Sequence, residues 1–511
     1  MLIKMIKHNT FIILFFFYSI ISCAQTNQYD KNWMIGYGQF SATSKIDGAQ
    51  IIFEKDTTLV VPVSKDYFMQ SSTVCLSDST GKLLYYSGGC TINNFKHKTM
   101  VNGDSIGKGI FETSFCTTLN DSAIPATLML FTVPHPGNAN WYYFFSLNLI
   151  HKVYKDGNTL APTKLYYSII DMSKNNGEGE VIVKHHEILT DTFAHAAIQG
   201  VRHKNKKDWW IVMPKCRSNC YFVILIDAKG VAKITKQCDG FVWSGADSGQ
   251  AVFSPNRKYY ARLGSNNNNV NLFDFDNEKG TLKAKKTLYL TDTMLTSGVA
   301  FSPNSRYLYA MCSQRVYQYD IKAEDIEKSK IMIAKLVKSP KSNYKTAFSQ
   351  SMLAPDGKIY IAGQATHDYL HVIHKPNLPG LACNLEQYSL KLPCYNGYGL
   401  PNMPHFKDWQ EDTTKITAIN EWEEKGIKAL VYPNPATTDI NLDLFGYVNQ
   451  YKKGIFNLYD TQGNLAATYP LLQNHDEYRF DISNLANGMY FWHLVLDDKV
   501  RQTGKMVVMK E

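Results

Sequence analysis

The sequence lacks the short motifs that mark common catalytic sites. It contains no GxSxG nucleophile elbow, HExxH zinc helix, P-loop or dinucleotide fingerprint. It also has no CxxC pair with histidines at matching spacing, which argues against a structural zinc site. These absences count against an activated nucleophile and against nucleotide chemistry, and no cofactor is predicted. Catalytic carboxylates gathered from distant parts of a chain would leave no such motif, so an enzyme stays an alternative.

Long apolar runs and concentrated positive charge are also missing. No stretch beyond the N-terminus approaches 18 consecutive apolar residues, the length at which a helix spans a bilayer. Charged residues make up 19% of the 511 residues, and the net charge of +9 includes only short basic clusters at 202–207 and 283–286. We therefore expect no transmembrane segment in the mature chain and no nucleic-acid partner. The hydrophobic share of 44% is enough for a large core.

The N-terminus has the pattern of an export signal. A basic start is followed by an apolar run at 11–21 and by small residues, so residues 1–24 are predicted to be a signal peptide cut between Ala24 and Gln25. The run is too short for a membrane anchor. Alternatively, the segment around Cys23 resembles a lipoprotein box, in which Cys23 would be acylated. Either route places the mature chain beyond the inner membrane.

Ten cysteines are compatible with an oxidising compartment. Removal or acylation of Cys23 leaves an odd number, so at least one thiol is expected outside disulfides. The alternative is that several cysteines are small core residues. Close spacing suggests three candidate disulfides, Cys216 with Cys220, Cys383 with Cys394, and less surely Cys75 with Cys90.

A short sequence motif, a tight turn followed by a strand, recurs through the middle of the chain. Its clearest copies begin at Phe253, Phe301 and Leu353, at spacings of 48 and 52 residues. In each copy Pro, Asn, Asp or Gly forms a tight turn, and aromatic or β-branched residues then enter a strand. About four strands fit in each repeat. Such a repeat is typical of a propeller blade, because one four-stranded sheet cannot cover both of its own faces.

The predicted fold class is therefore all-β, a β-propeller of about seven four-stranded blades over residues 28–408. An array of β-sandwiches is the alternative architecture. We expect the ring to close by pairing the strand near 33–39 with strands of the last blade, which would remove open sheet edges.

The central region also resembles secreted propeller proteins of the Bacteroidetes. The resemblance rests on short sequence segments that are individually common but occur in a specific order, among them those at 78–90, 166–172, 272–276 and 399–402. It implies a propeller fold and a surface location. It supplies no catalytic residue.

A separate module follows a charged linker at 409–429. Residues 430–511 alternate apolar and polar positions between turns, which predicts a small C-terminal β-sandwich. They resemble the type A C-terminal sorting domain of the type IX secretion system, also called the Por secretion domain. The resemblance implies export by that machinery and usual removal of the domain. It is carried by Tyr432, Pro433, Asn434, Pro435, Gly488, Tyr490, Gly504 and Lys505.

Asp274, Asp276 and Glu278 are weak candidates for a calcium loop. Carboxylates are the ligands that calcium prefers, but the further carboxylates of a full loop are missing. Two aspartates that alternate with phenylalanines also suit the exposed face of a strand. We therefore predict a structural role and no metal site.

The function expected from these observations is binding or adhesion. A secreted propeller, displayed on the outer membrane surface or released, would bind an unidentified glycan, surface polymer or partner protein through the loops of one face. A polysaccharide hydrolase or lyase on a propeller scaffold and a structural surface-layer component are the alternatives. Carboxylates converging in the central channel would favour the enzyme, and an aromatic platform would favour glycan binding.

Overall fold

The computed structural model describes seventeen segments of the chain. They are residues 27–36, 48–55, 57–63, 69, 71–116, 128–154, 157–244, 249–264, 267–290, 298–337, 346–364, 367–397, 399–409, 428–445, 451–472, 475 and 477–510. The predicted signal peptide with Cys23, Ala24 and Gln25, and almost all of the predicted linker, lie outside these residues.

The described residues before 410 form seven successive antiparallel sheets, which confirms the propeller, and we name these sheets blades 1 to 7. Blades 1 and 2 have three described strands each, β1 (Asn32–Ile35), β2 (Gly48–Phe53) and β3 (Thr58–Val63), then β4 (Val74–Ser77), β5 (Leu83–Ser87) and β6 (Ile92–Asn94). Blade 3 contains β7 (Leu130–Pro134), β8 (Trp141–Leu147), β11 (Lys164–Asp171) and β12 (Glu180–Thr190), with a hairpin of β9 (Ile150–Tyr154) and β10 (Gly157–Ala161) inserted.

Blades 4 to 7 each have four strands in sequence order. They are β13 (Gln199–Arg202), β14 (Trp209–Pro214), β15 (Cys220–Asp227), β16 (Gly230–Cys238); β17 (Ala251–Phe253), β18 (Tyr259–Gly264), β19 (Asn269–Asp276), β20 (Thr281–Tyr289); β21 (Gly298–Phe301), β22 (Tyr307–Cys312), β23 (Arg315–Asp320), β24 (Ile331–Lys335); β25 (Phe348–Leu353), β26 (Ile359–Gly363), β27 (His367–Ile373) and β28 (Leu385–Asn396). Short helical turns occur at Phe111–Phe115, Asn175–Gly177 and Gly380–Cys383.

The recurring motif is the hairpin between the first two strands of a blade. In blade 5 Phe253 pairs with Tyr260, and in blade 6 Phe301 pairs with Leu308. The serine hydroxyl that follows each phenylalanine accepts the backbone N–H that begins the second strand, at Tyr259 and Tyr307. In blades 5 and 6 the repeat is therefore a tight turn held by its own serine, whereas blade 7 has Ala354 at that position.

The ring does not close as we expected. Strand β1 pairs with β2 of its own blade, with Asn32 opposite Ile52, and no described residue of β1 pairs with blade 7. Blade 1 instead packs against blade 7 through aromatic rings, because Trp33 and Phe53 lie 5.7 and 5.5 Å from Tyr360. The Thr58 hydroxyl of blade 1 also forms hydrogen bonds with Asp356 and Tyr360 of blade 7, so the described residues of this joint are joined by side chains and not by strand hydrogen bonds.

A segment after the last blade supplies hydrogen bonds at the centre of the ring. Residues 400–406, here called the plug, lie among the first strands of the blades. The amide group of Asn402 donates to Leu130 O of blade 3 at 2.8 Å and to Ile198 O before blade 4 at 3.1 Å. Its side-chain oxygen accepts from Gln199 at 2.5 Å, and its backbone N–H donates to Thr73 O beside blade 2 at 2.8 Å.

Three glutamines at equivalent positions complete this polar centre. Gln199, Gln250 and Gln350 each lie at or beside the first strand of blades 4, 5 and 7. The Gln350 side chain accepts the N–H of Leu400 in the plug. The Gln250 side chain accepts the N–H groups of Val299 in blade 6 and Ser351 in blade 7, and it donates to Ser351 O. Blade 6 has Gly298 at this position. A Cβ there would lie 2.4 Å from Ser349 O and 3.0 Å from the side-chain oxygen of Gln250, so a larger residue would clash with the backbone of blade 7.

The candidate disulfide between Cys216 and Cys220 is wrong, because Cys220 has a closer partner on the neighbouring strand. Cys220 is bonded to Cys238, its direct neighbour across β15 and β16, and so cannot bond Cys216. Cys216 is a buried residue of the loop that precedes β15. Close spacing in the sequence, here four residues, is a weaker guide than the register of a strand pair, which places two residues 18 apart directly opposite each other.

The other two candidate pairs are also wrong. Cys90 is bonded to Cys116, while Cys75 is a buried thiol of β4 that donates to a carbonyl oxygen of blade 1. Cys383 and Cys394 are thiols on opposite sides of most of β28. Cys383 lies beside Lys375 and Cys394 lies near the His367 end of β27, so the two thiols are roughly 20 Å apart, far beyond disulfide reach.

The C-terminal residues form the predicted sandwich of two sheets. One sheet has the order β29 (Lys428–Tyr432), β30 (Asp439–Phe445) and β33 (Glu477–Asp481), and the other has the order β32 (Leu465–Leu471), β31 (Gly454–Tyr459), β34 (Gly488–Leu496) and β35 (Lys499–Val508). Ile440, Phe456 and Trp492 lie in the core between them. We call this module the tail.

We predict that Asn402→Ala destabilises the propeller by about 3 kcal/mol or more, because it leaves buried carbonyl groups of two blades without a donor. Chemical unfolding followed by tryptophan fluorescence measures the effect. Lys233→Ala, on the exposed surface of β16, is the control and should change the free energy of unfolding by less than about 0.5 kcal/mol. Equal effects of the two substitutions would contradict a central role for the plug.

Candidate functional site

The cavity that the described residues form at the centre of the ring is too small for an organic ligand. The described residues enclose a cavity of about 20 Å³, which is room for about one water molecule. Its lining combines plug residues with the polar centre and apolar side chains, and none of the lining residues is a carboxylate. The channel residues that the structure describes therefore do not form the acidic centre that a hydrolase alternative requires.

His405 is the ionisable residue of this lining. Burial lowers the pKa of its imidazole to about 4, so the ring is neutral at ordinary pH. Its Nε2 atom is buried and has no hydrogen-bond partner among the described residues. The histidine therefore contributes to packing at the channel and carries no charge that could attract an anion.

The channel ends in a cluster where both ends of the propeller meet. The Arg202 guanidinium donates to Phe406 O at 2.9 Å, and the Asp30 carboxylate accepts the N–H of Phe406. The Phe406 ring also lies 5.1 Å from Tyr29 and 5.8 Å from Trp209. We call this arrangement the clasp, because it holds the start of the propeller against its last residues.

Asp30 is almost fully buried in the clasp, with 5% of its surface exposed. Burial raises the pKa of its carboxyl to about 7, and Lys407 and Arg202 only partly oppose this effect. A carboxyl with a raised pKa in the folded protein stabilises the fold most when it is protonated. The contribution of Asp30 to the free energy of unfolding is therefore fully present below about pH 4 and is lost as the pH rises from about 4 to 7.

We predict that Asp30→Asn removes this pH dependence. The variant and the unaltered protein should have similar free energies of unfolding at pH 4, and the variant should be more stable at pH 8, by at most about 4 kcal/mol. Denaturant unfolding at several pH values measures the difference. Asp498→Asn, at an exposed aspartate of the tail, should show no such trend. A difference between Asp30→Asn and the unaltered protein that is constant from pH 4 to 8 would refute the explanation.

The calcium candidates are engaged by other groups. Asp274 is paired with Lys285 at 3.1 Å, and Glu278 is paired with Lys204 at 2.7 Å. Asp276 accepts two backbone N–H groups of the turn that it begins. Within the described segments, no cluster of three or more His, Cys, Asp or Glu side chains could hold a metal ion.

A serine, a histidine and a glutamate meet on blade 7 without the geometry of a catalytic triad. His374 Nε2 lies 2.8 Å from Glu386 Oε2 and 3.2 Å from Ser389 Oγ, and the serine hydroxyl donates to the same carboxylate at 2.6 Å. In a triad the acid and the nucleophile contact different ring nitrogens. Here both contact Nε2, so the imidazole cannot pass a proton between them, and the contacts are those of a surface network.

An aromatic row crosses blade 3. His135 stacks on Tyr143 at 4.9 Å, Tyr143 contacts Tyr167 at 5.3 Å, and Tyr167 contacts His186 at 4.6 Å. Tyr143 is buried, Tyr167 is half-buried and His186 is exposed, so the outer part of the row is open to solvent. Aromatic faces of this kind suit the apolar faces of sugar rings.

In the tail, Asn434 fastens the last strand. Its side-chain oxygen accepts the N–H of Val507 at 2.8 Å, and its amide donates to Lys505 O at 3.4 Å. Pro433 and Pro435 flank it, and Ala436 continues the contact by pairing with Val508. The YPNP segment thus joins the first strand of the tail to its last strand.

The glycine and tyrosine landmarks of the tail have packing roles. A Cβ at Gly504 would lie 2.3 Å from the Trp492 ring, so only glycine fits there without displacing the indole. Tyr490 is buried, and its hydroxyl donates to Ala486 O at 3.1 Å. Gly488 begins the same strand, opposite Val508. These features account for the spacing seen in the sequence.

Residues 430–509 match one protein-family model. The match is to the secretion system C-terminal sorting domain. The sorting domain marks this protein as secreted or attached to the cell surface. No helix of the described segments is long and apolar enough to cross a membrane.

Solved structures similar to this chain share little sequence with it. A proposed 6-phosphogluconolactonase from Bacteroides uniformis is 13% identical at a TM-score of 0.43, with 71% of this chain and 97% of that chain covered. The periplasmic gluconolactonase of Pseudomonas aeruginosa is 11% identical at a TM-score of 0.38, with 73% and 99% covered. The Dos1 propeller is 9% identical at a TM-score of 0.33, with 74% and 92% covered.

Values this low transfer no activity to this protein. A search of curated proteins found no match. The sorting domain is therefore the part of the chain whose role follows from a comparison.

Proposed function

We propose that the exported propeller is a non-catalytic binding or adhesion protein, displayed on the cell surface or released from it. The observation that supports this proposal most is the filled channel, which leaves about 20 Å³ and no carboxylate in its lining. Ligands of such a propeller bind to its outer surfaces and loops. The ligand classes considered are a glycan, a surface polymer and a partner protein.

The two alternatives have less support. A polysaccharide hydrolase needs two positioned carboxylates, whereas Asp274 and Glu278 are paired with lysines and Asp276 caps a turn. A purely structural surface-layer component needs no binding site at all. The partly exposed aromatic row of blade 3 favours a binding protein over that alternative, and it favours glycans among the ligands.

We predict binding of a polysaccharide without its degradation. In a glycan array or an affinity gel, combined Tyr167→Ala and His186→Ala should weaken retention by about tenfold, because the exposed part of the row is lost. Tyr289→Ala, at an exposed tyrosine of blade 5, is the matched control and should leave retention unchanged. Depolymerisation above a heat-treated control would contradict the proposal, as would equal loss in both variants.

We also propose that the sorting domain is an address for the type IX machinery and is removed after export. Residues 28–408 would then be the working molecule, and the segment at 409–429 would be the cleavable linker. Cleavage after Ala24 would give a soluble start, and acylation of Cys23 is the alternative route to the surface.

In a host with the type IX system, a chain that ends at residue 429 should accumulate in the periplasm as a folded propeller. The full chain should reach the surface or medium without its last roughly 80 residues, a length set by one small sandwich domain. Immunoblots of cell fractions and intact-mass measurement record both outcomes. Normal export of the shortened chain would overturn the proposal.

A further inference from the structure

The first strand of the sorting domain is buried on both faces. In β29, Ala429 and Val431 point into the tail core, as alternation along a strand requires. Leu430 and Tyr432 point the other way and pack against an apolar cluster of blades 5 and 6. Leu430 retains only 5% of its exposed surface, so the tail is docked on the propeller.

Charged groups lie beside this apolar contact. Lys335, the last residue of β24 in blade 6, lies 3.5 Å from Asp443 Oδ2 and 2.7 Å from Glu477 Oε1. The Tyr432 hydroxyl donates to the same Asp443 oxygen at 2.9 Å. Asp443 is 2% exposed, so its carboxylate depends on these partners.

The propeller side of this contact is basic. Arg315 is directly opposite Lys335 in the register of β23 and β24, which places two cations on one edge of blade 6. The tail side carries two carboxylates on neighbouring strands, with Asp443 opposite Glu477. Charge complementarity and apolar packing therefore coincide at one surface.

We propose that this edge of blade 6 is a binding surface for a partner protein, and that the sorting domain masks it until the tail leaves. The partner would present an extended segment with an aliphatic and an aromatic side chain two residues apart, beside a carboxylate. In the tail, Leu430 and Tyr432 of β29 supply the two apolar side chains, and Asp443, opposite Leu430 on β30, supplies the carboxylate. This inference rests on the proposed function only in taking the exported propeller to be a binding protein.

The test uses the full chain with a protease site inserted between residues 410 and 427. After cleavage, the tail should remain with the propeller in size-exclusion chromatography. Lys335→Glu should release it, with affinity reduced by about tenfold or more, because Asp443 would be buried next to a like charge. Lys330→Glu, just before the same strand and paired with Glu327 inside the propeller, is the matched control.

A peptide of residues 428–445 tests the recognition itself. In excess it should displace the tail from the cleaved chain, whereas the same peptide with Tyr432→Ala and Asp443→Lys should be at least about tenfold weaker. Equal tail release in both lysine variants, or equal or absent displacement by the two peptides, would overturn the inference. Polysaccharide binding through blade 3 is measured in a different assay. A negative result there would count against the proposed function and would leave the tail-displacement result unaffected.

Discussion

The ring depends on hydrogen bonds from one asparagine. No described strand is shared between the first and last blades, so face packing must be supplemented from elsewhere. Asn402 does this because one amide group and one backbone N–H reach blades 2, 3 and 4 from a single point at the centre. The same segment occupies the centre of the ring, where the described residues leave a cavity of about 20 Å³. Residues 400–406 therefore both link the blades and fill the space between them.

The clasp adds a second link between the ends of the propeller. Asp30 and Arg202 hold the two polar groups of the Phe406 backbone, one from the start of the chain and one from blade 4. A buried carboxyl there makes the joint sensitive to ionisation. Because His405 and Asp30 titrate in overlapping ranges with opposite effects on stability, only single substitutions separate their contributions.

The sorting domain carries the sequence motif of secretion tails and also packs against the propeller. Its YPNP segment and final strand are fastened to each other by Asn434, while its first strand faces the propeller through Leu430 and Tyr432. Most of the landmarks that identify the domain in the sequence serve its internal packing, and Tyr432 is the landmark that faces the propeller. The charged residues of the contact, Asp443 and Glu477, are not among the landmarks, so the motif does not indicate the ion pairs with blade 6.

The sequence by itself determined the all-β class, the blade repeat and the C-terminal sandwich, because turns, alternation and capping serines act over a few residues. Gln250 and Gln350, each three residues before the start of a turn-and-strand repeat, are the signal of the polar centre that the sequence does contain. The tertiary structure decided the closure by Asn402, the Cys220 to Cys238 bond and the pairing of Asp274 and Glu278 with lysines. Each of these joins residues whose proximity depends on strand register or on the packing of separate blades. Spacing along the chain carries no information about such distances.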